Sequence, residues 1–80
     1  MNIGWSRWKD TGTGVVTHSL IKDTTILARV VKTGRSGIDN YPWDWYLEDR
    51  VEAKPGHKTS GVADSMRAAK EDVEWALGLR

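Results

Sequence analysis

A single change in hydrophobic period is the feature that most constrains the fold of this chain. Up to about residue 51, apolar and β-branched residues recur in short runs or in alternation, which is typical of strands. From about residue 64 the period becomes 3.6, which places on one face Met66, Ala69, Val73 and Leu77. One change from strand period to helix period predicts an α+β domain, in which a C-terminal helix packs on one face of a sheet.

Four segments have strand character, and polar turn formers separate the first three. The third segment has six β-branched residues in ten, and the fourth begins with strict alternation. We predict strands at about 3–9, 15–21, 24–33 and 43–51, and a helix at about 65–77 that begins at an N-cap of Asp64 or Ser65. The simplest arrangement is a three- or four-stranded antiparallel meander.

Residues 34–42 and 53–61 contain most of the remaining Gly and Pro, so both are predicted to be loops. The first is longer than a usual hairpin connection. Because one helix covers one side of a sheet, the other side is expected to stay open. That open side and the first loop are where we expect function.

The chain has 80 residues, five Trp, no Phe and no Cys. A second hydrophobic core could not be built at this length, so residues 1–80 are predicted to form a single domain. Without Phe the core must take its bulk from Trp43, Trp45 and Trp5. Without Cys, disulfides and thiolate metal sites are excluded.

No apolar run approaches the length of a membrane-spanning helix, and the first residues lack the layout of a signal peptide. We therefore expect a soluble, unexported, cytoplasmic protein with no membrane partner.

The motifs of catalysis are missing from this sequence. The imidazoles are His18 and His57, and neither Ser60 nor Ser65 lies in a nucleophile-elbow pattern. The spacings H-x-H and H-E-x-x-H do not occur, and the glycines at 12 and 14 lack the rest of a dinucleotide fingerprint. We therefore predict that the chain is not an enzyme and has no catalytic residue, no metal site and no cofactor.

Charge is unevenly distributed along the chain, although the net charge is only +1. The first 40 residues have six Lys or Arg against three acids, and the last 40 have six against eight. If the first strands are adjacent, one basic stripe is expected from Arg7, Lys9, Lys22, Arg29, Lys32 and Arg35. Such a stripe makes direct DNA or RNA binding possible.

Aromatic residues outside the predicted core are candidate contacts, because Trp, Tyr and Arg are enriched at protein interfaces. Trp8 has the opposite parity to Trp5, and Tyr46 lies on the polar side of its strand. The predicted partner-binding residues are Trp8, Arg29, Lys32, Arg35, Tyr41 and Tyr46.

An aromatic strand at 43–45 precedes the run Gly-Val-Ala-Asp-Ser-Met-Arg-Ala-Ala-Lys at 61–70 and the helix. This layout resembles small accessory proteins encoded by phages and prophages, among them anti-CRISPR proteins, and similar endings occur in HicB-type antitoxins and AP2-type DNA-binding domains. The resemblance implies a stoichiometric inhibitor that binds a host protein or ribonucleoprotein complex of defence and blocks its nucleic-acid contact surface. The alternative is a small DNA- or RNA-binding regulator that uses a basic sheet face. Either protein is expected to be a monomer or a homodimer.

Overall fold

The computed structural model describes residues 3–32 and 43–80. Within these ranges the chain forms a five-stranded antiparallel sheet in sequence order, followed by one helix. The elements are β1 Ile3–Lys9, β2 Val16–Lys22, β3 Thr25–Lys32, β4 Trp43–Leu47, β5 Ser60–Ala63 and α1 Met66–Ala76. The predicted α+β class, with an antiparallel sheet and a C-terminal helix packed on it, is confirmed.

Local side-chain chemistry determines the first hairpin turns. The Asp10 carboxylate accepts hydrogen bonds from the backbone N–H groups of Gly12 and Thr13 at 2.7 and 3.0 Å. Gly14 follows with a φ of 75°, a left-handed conformation that glycine adopts without steric cost. At the second hairpin Asp23 has a φ of 57°, and Asp is among the residues that tolerate this region. These turns place β1, β2 and β3 side by side.

The predicted strand count and the predicted end of the fourth strand are wrong. A fifth strand, β5, begins in the last two residues of the predicted loop, continues over residues 62 and 63, and pairs with β4. β4 ends at Leu47, and the Glu48 N–H makes the last bond to β3, donating to the Leu27 carbonyl at 3.0 Å. The Val51 N–H then donates back to the Glu48 carbonyl at 2.8 Å, which forms a turn where we expected more strand.

The helix α1 packs across β3, β4 and β5. It begins at Ser65, whose hydroxyl accepts the Ala68 N–H at 3.1 Å as an N-cap. The helix residues that face the sheet are small, which lets α1 approach closely. The buried hydrophobic core consists of Leu20, Ala28, Val30, Trp45, Leu47, Ala63, Ala69, Val73 and Ala76.

Trp45 is the largest side chain of this core and is 6% exposed. Its ring lies against Gly61, where an added Cβ would be only 2.8 Å from the indole Nε1. That Nε1 is buried without a hydrogen-bond partner among the described residues. Trp5 and Trp43 pack against the same core while half-buried. The prediction that these three Trp contribute to the core matches this packing.

In the part of the chain that the structure describes, no helix has the length and apolar character needed to cross a membrane.

Candidate interaction surface on the sheet

Strand register divides the side chains of the sheet between two faces. Residues that oppose each other across antiparallel strands share a face, so each face consists of rows that cross all five strands. The face that α1 does not cover is called the open face. Its two central rows are Trp8, Thr17, Val31, Asp44, Val62 and Ser6, Ser19, Arg29, Tyr46, Ser60.

The open face exposes large apolar side chains. Trp8, on edge strand β1, is 63% exposed, and Val62, on edge strand β5, is 52% exposed. Val31 lies between them in the same row and is half-buried. Tyr46, in the neighbouring row, is 39% exposed. The open face therefore presents apolar side chains at both edges and near the middle of the sheet, with Thr17 and Asp44 between them.

One ion pair lies on this face. Arg29 donates from Nε to Glu48 Oε1 at 2.7 Å, and both side chains are partly exposed. Glu48 neutralises the guanidinium and orients it along the sheet, next to Tyr46 on the adjoining strand. Asp44 is also on this face, so the described residues of the open face carry no excess of positive charge.

The structure brings three of the predicted contact residues together. Trp8, Arg29 and Tyr46 all lie on the open face. Lys32 does not, because it opposes Trp43 on the helix side, where its Nζ lies 6.0 Å from the centroid of the Trp43 ring. The remaining two predicted contacts, Arg35 and Tyr41, lie outside the described residues.

The predicted basic stripe is divided between the two faces, although its strands are adjacent. Arg7, Lys9, Lys22 and Lys32 have helix-side positions, whereas Arg29 is on the open face. A signal for this division was present in the sequence. Arg29 and Lys32 are three positions apart in one strand, so their side chains point to opposite faces.

Cations also lie on the helix side of the sheet, along β1 and at the end of β3. Arg7, Lys9, Lys32 and the half-buried Lys70 of α1 are here called the basic margin. Lys70 Nζ lies 5.1 Å from the centroid of the Trp5 ring. Burial lowers the pKa of Lys70, and Glu74 opposes that shift. Among the described residues, the ion pairs found involve other cations, namely Arg29, Arg67 and Arg80.

His18 lies beside the basic margin. It is 7% exposed and makes a tilted ring contact with Trp43, the centroids being 6.0 Å apart. Burial lowers the pKa of His18, and the nearby charges of Lys70 and Arg7 lower it further. His18 is therefore neutral at pH 7 and packs as an aromatic ring. Among the described residues, no group of three or more His, Asp or Glu could hold a metal ion.

Sequence reasoning missed Val31 and Val62 as parts of the open face. Val62 was missed because no strand was predicted between the loop at 53–61 and the helix. Val31 was missed because a valine inside a β-branched run does not show which side is covered. The available signal was that Val31 has the same parity as Arg29, a predicted contact in the same strand.

No protein-family model, no curated protein and no solved structure matches this chain. Function is therefore inferred from the surfaces themselves.

Proposed function

We propose that this chain is a non-enzymatic binding protein that docks on a partner protein through its open face. The observation that carries this proposal is the exposure of three large side chains, Trp8, Tyr46 and Val62, on the sheet face that α1 leaves uncovered. Exposed apolar surface favours association because a partner removes it from water. Trp8 and Tyr46 are the residue types that most often anchor protein interfaces.

The Arg29–Glu48 pair gives this surface a polar element. In a docked complex the pair adds directional hydrogen bonds beside Tyr46. Trp8, Tyr46 and Val62 supply most of the apolar contact area. A sheet with a helix packed on its other face is already ordered, so it loses little conformational entropy when it binds. These features support action by occupying a surface, as a stoichiometric inhibitor does.

Within this proposal the partner is an effector complex of host defence, and docking blocks the nucleic-acid contact surface of that complex, as in the anti-CRISPR proteins that the chain resembles. The alternative proposal, a small DNA- or RNA-binding regulator, needs a basic sheet face. The neutralised Arg29 and the presence of Asp44 make the open face a poor surface for phosphate groups.

Site-specific photo-crosslinking tests the proposed docking face. A photoreactive phenylalanine replaces Tyr46 on the open face or, as a matched control, Trp75, which is 53% exposed on α1. In cells that contain the partner, we expect one adduct of defined mass from position 46 and none from position 75. Adding Val62→Arg should abolish that adduct, because it replaces an exposed apolar side chain of the open face with a charged one. Equal adducts from both positions, or adducts from position 75 alone, would contradict docking through the open face.

A further inference from the structure

β1 is an edge strand with an unused side. Within the described residues β1 pairs only with β2, so its outer backbone N–H and C=O groups have no strand partner. β1 is seven residues long, contains no proline and keeps a regular register with β2. Every β1 residue except Trp5 is exposed. Such an edge can pair with another extended chain.

The two faces of β1 differ in charge. Trp8 projects to the open face, whereas Arg7 and Lys9 project to the helix side. Lys70 of α1 lies on the same side, with its Nζ 5.1 Å from the ring centroid of Trp5, and the neighbouring His18 is neutral. A strand placed against β1 therefore meets cations at alternate positions on one face and an aromatic side chain on the other.

One carboxylate of α1 lies on this side and is already engaged. Glu74 accepts a hydrogen bond from Trp5 Nε1 at 3.2 Å and from Arg80 Nε at 2.6 Å. It also acts electrostatically on Lys70. Among the described residues no ion pair involves Arg7 or Lys9, so these two cations are left for an external anionic group.

We propose that β1 accepts an extended acidic segment of the partner protein as a sixth strand of the sheet. Main-chain hydrogen bonds to the free edge supply sequence-independent affinity. Acidic residues at every second position face Arg7, Lys9 and Lys70, and the residues between them are apolar and continue the open face next to Trp8. This inference rests on the proposed function and names the chemistry of the partner.

Charge decides between this occupant and two others. A second copy of the chain would bring its own Arg7 and Lys9 next to Lys70, and like charges across strands are destabilising. A nucleic acid would use the cations but would leave the strand edge unpaired. An acidic strand uses the edge and the cations together, so it is the occupant that the observations favour.

The probe is a capped synthetic peptide of strictly alternating valine and glutamate, titrated into the isotope-labelled protein and followed by NMR. We expect amide shifts concentrated in β1 and β2, and slower hydrogen exchange for the β1 amides that point away from β2. A peptide in which lysine replaces every glutamate should not bind. Slower exchange distinguishes strand addition from attraction between side chains alone.

Charge reversal provides the matched variants. The double variant Arg7→Glu, Lys9→Glu should weaken binding of the glutamate peptide by about tenfold or more and allow the lysine peptide to bind. The control is Arg50→Glu, Lys58→Glu, which makes the same change in net charge at two exposed residues outside the strands and should leave the dissociation constant unchanged. Both variants are first checked for an unchanged tryptophan fluorescence spectrum.

Four outcomes would overturn the strand-addition proposal. They are binding without slower exchange in β1, equal loss of binding in the control variant, tighter binding of a single-stranded oligonucleotide at the same cations, and a dimer of the free protein in which the outward β1 amides are already protected from exchange. None of them affects the crosslinking result at position 46, because Tyr46 is on β4. Failure of strand addition and failure of docking through the open face are therefore distinguishable.

Discussion

The two faces of the sheet use the same strands in opposite ways. On the covered face Ala28, Ala63 and the 6%-exposed Trp45 form a dense contact with α1, and on the open face Trp8 and Tyr46 meet solvent. Both sets come from strands that alternate in the same manner. The difference shows that parity alone does not separate core from contact surface. By packing on one face, the helix makes that face the core. The exposed aromatic and apolar side chains of the other face stay available to bind a partner.

The largest difference between the two faces is expected when the same polar residue is placed on each of them. Val30 is fully buried under α1 and Val62 is 52% exposed. Val30→Asn should lower the free energy of unfolding by about 3 kcal/mol, because a buried amide has no partner in the core. Val62→Asn, the matched control, should cost less than about 1 kcal/mol. Urea unfolding followed by tryptophan fluorescence measures both. Equal losses would mean that the open face is as tightly packed as the core.

A second contrast compares two strand glycines. Gly61 lies against the ring of Trp45, and a Cβ at Gly4 would have nothing within 4 Å. Gly61→Ala should destabilise the fold by about 2 kcal/mol, since the indole must shift to relieve a 2.8 Å contact. Gly4→Ala should change stability by less than about 0.5 kcal/mol. Chemical denaturation and the near-UV circular dichroism of tryptophan report both effects. An unchanged tryptophan signal in Gly61→Ala would contradict the close contact.

The smallest of these effects is a pH dependence that belongs to the covered face. Burial lowers the pKa of His18 below its ordinary 6.5, so the folded state disfavours the protonated ring. Stability from this group is therefore complete above pH 6.5 and is lost as the pH falls below that value. The urea midpoint should fall between about pH 7.5 and about pH 5.5, where carboxylates with ordinary pKa values stay ionised.

His57 provides the control for this titration, because it is exposed in a loop. His18→Gln should reduce the fall of the urea midpoint over the same pH range, and His57→Gln should leave it unchanged. If the fall of the urea midpoint disappeared in His57→Gln instead, the pH dependence would belong to the loop and not to the covered face.

Much of the fold was predictable from the sequence because its signals are local. The period of α1, its cap at Ser65 and the turn formers after β1 are all set by residues close together in the chain. β5 was not predictable in this way. It has four residues, one of them Gly61, and it forms a strand because β4 provides its hydrogen bonds and Trp45 fills the space above the glycine.

The candidate site was predicted in part for the same reason. Parity within one strand identified Trp8 and Tyr46 as outward-facing, and register between strands was needed to place Val62 in the same row. The pairing of Arg29 with Glu48 depends on contact between β3 and the residue after β4, which no local pattern contains. The predicted contacts Arg35 and Tyr41 stay predictions.

The order of the elements has a consequence for how this domain is made. Each strand pairs with its neighbour in sequence, so the sheet can assemble stepwise by short-range closures as the chain leaves the ribosome. α1 comes after all five strands. Val30 and Trp45 therefore stay exposed to solvent on the sheet until residues 66–76 have been synthesised. During that interval both faces of the nascent sheet expose apolar side chains. Synthesis that stalls before α1 therefore yields an aggregation-prone product.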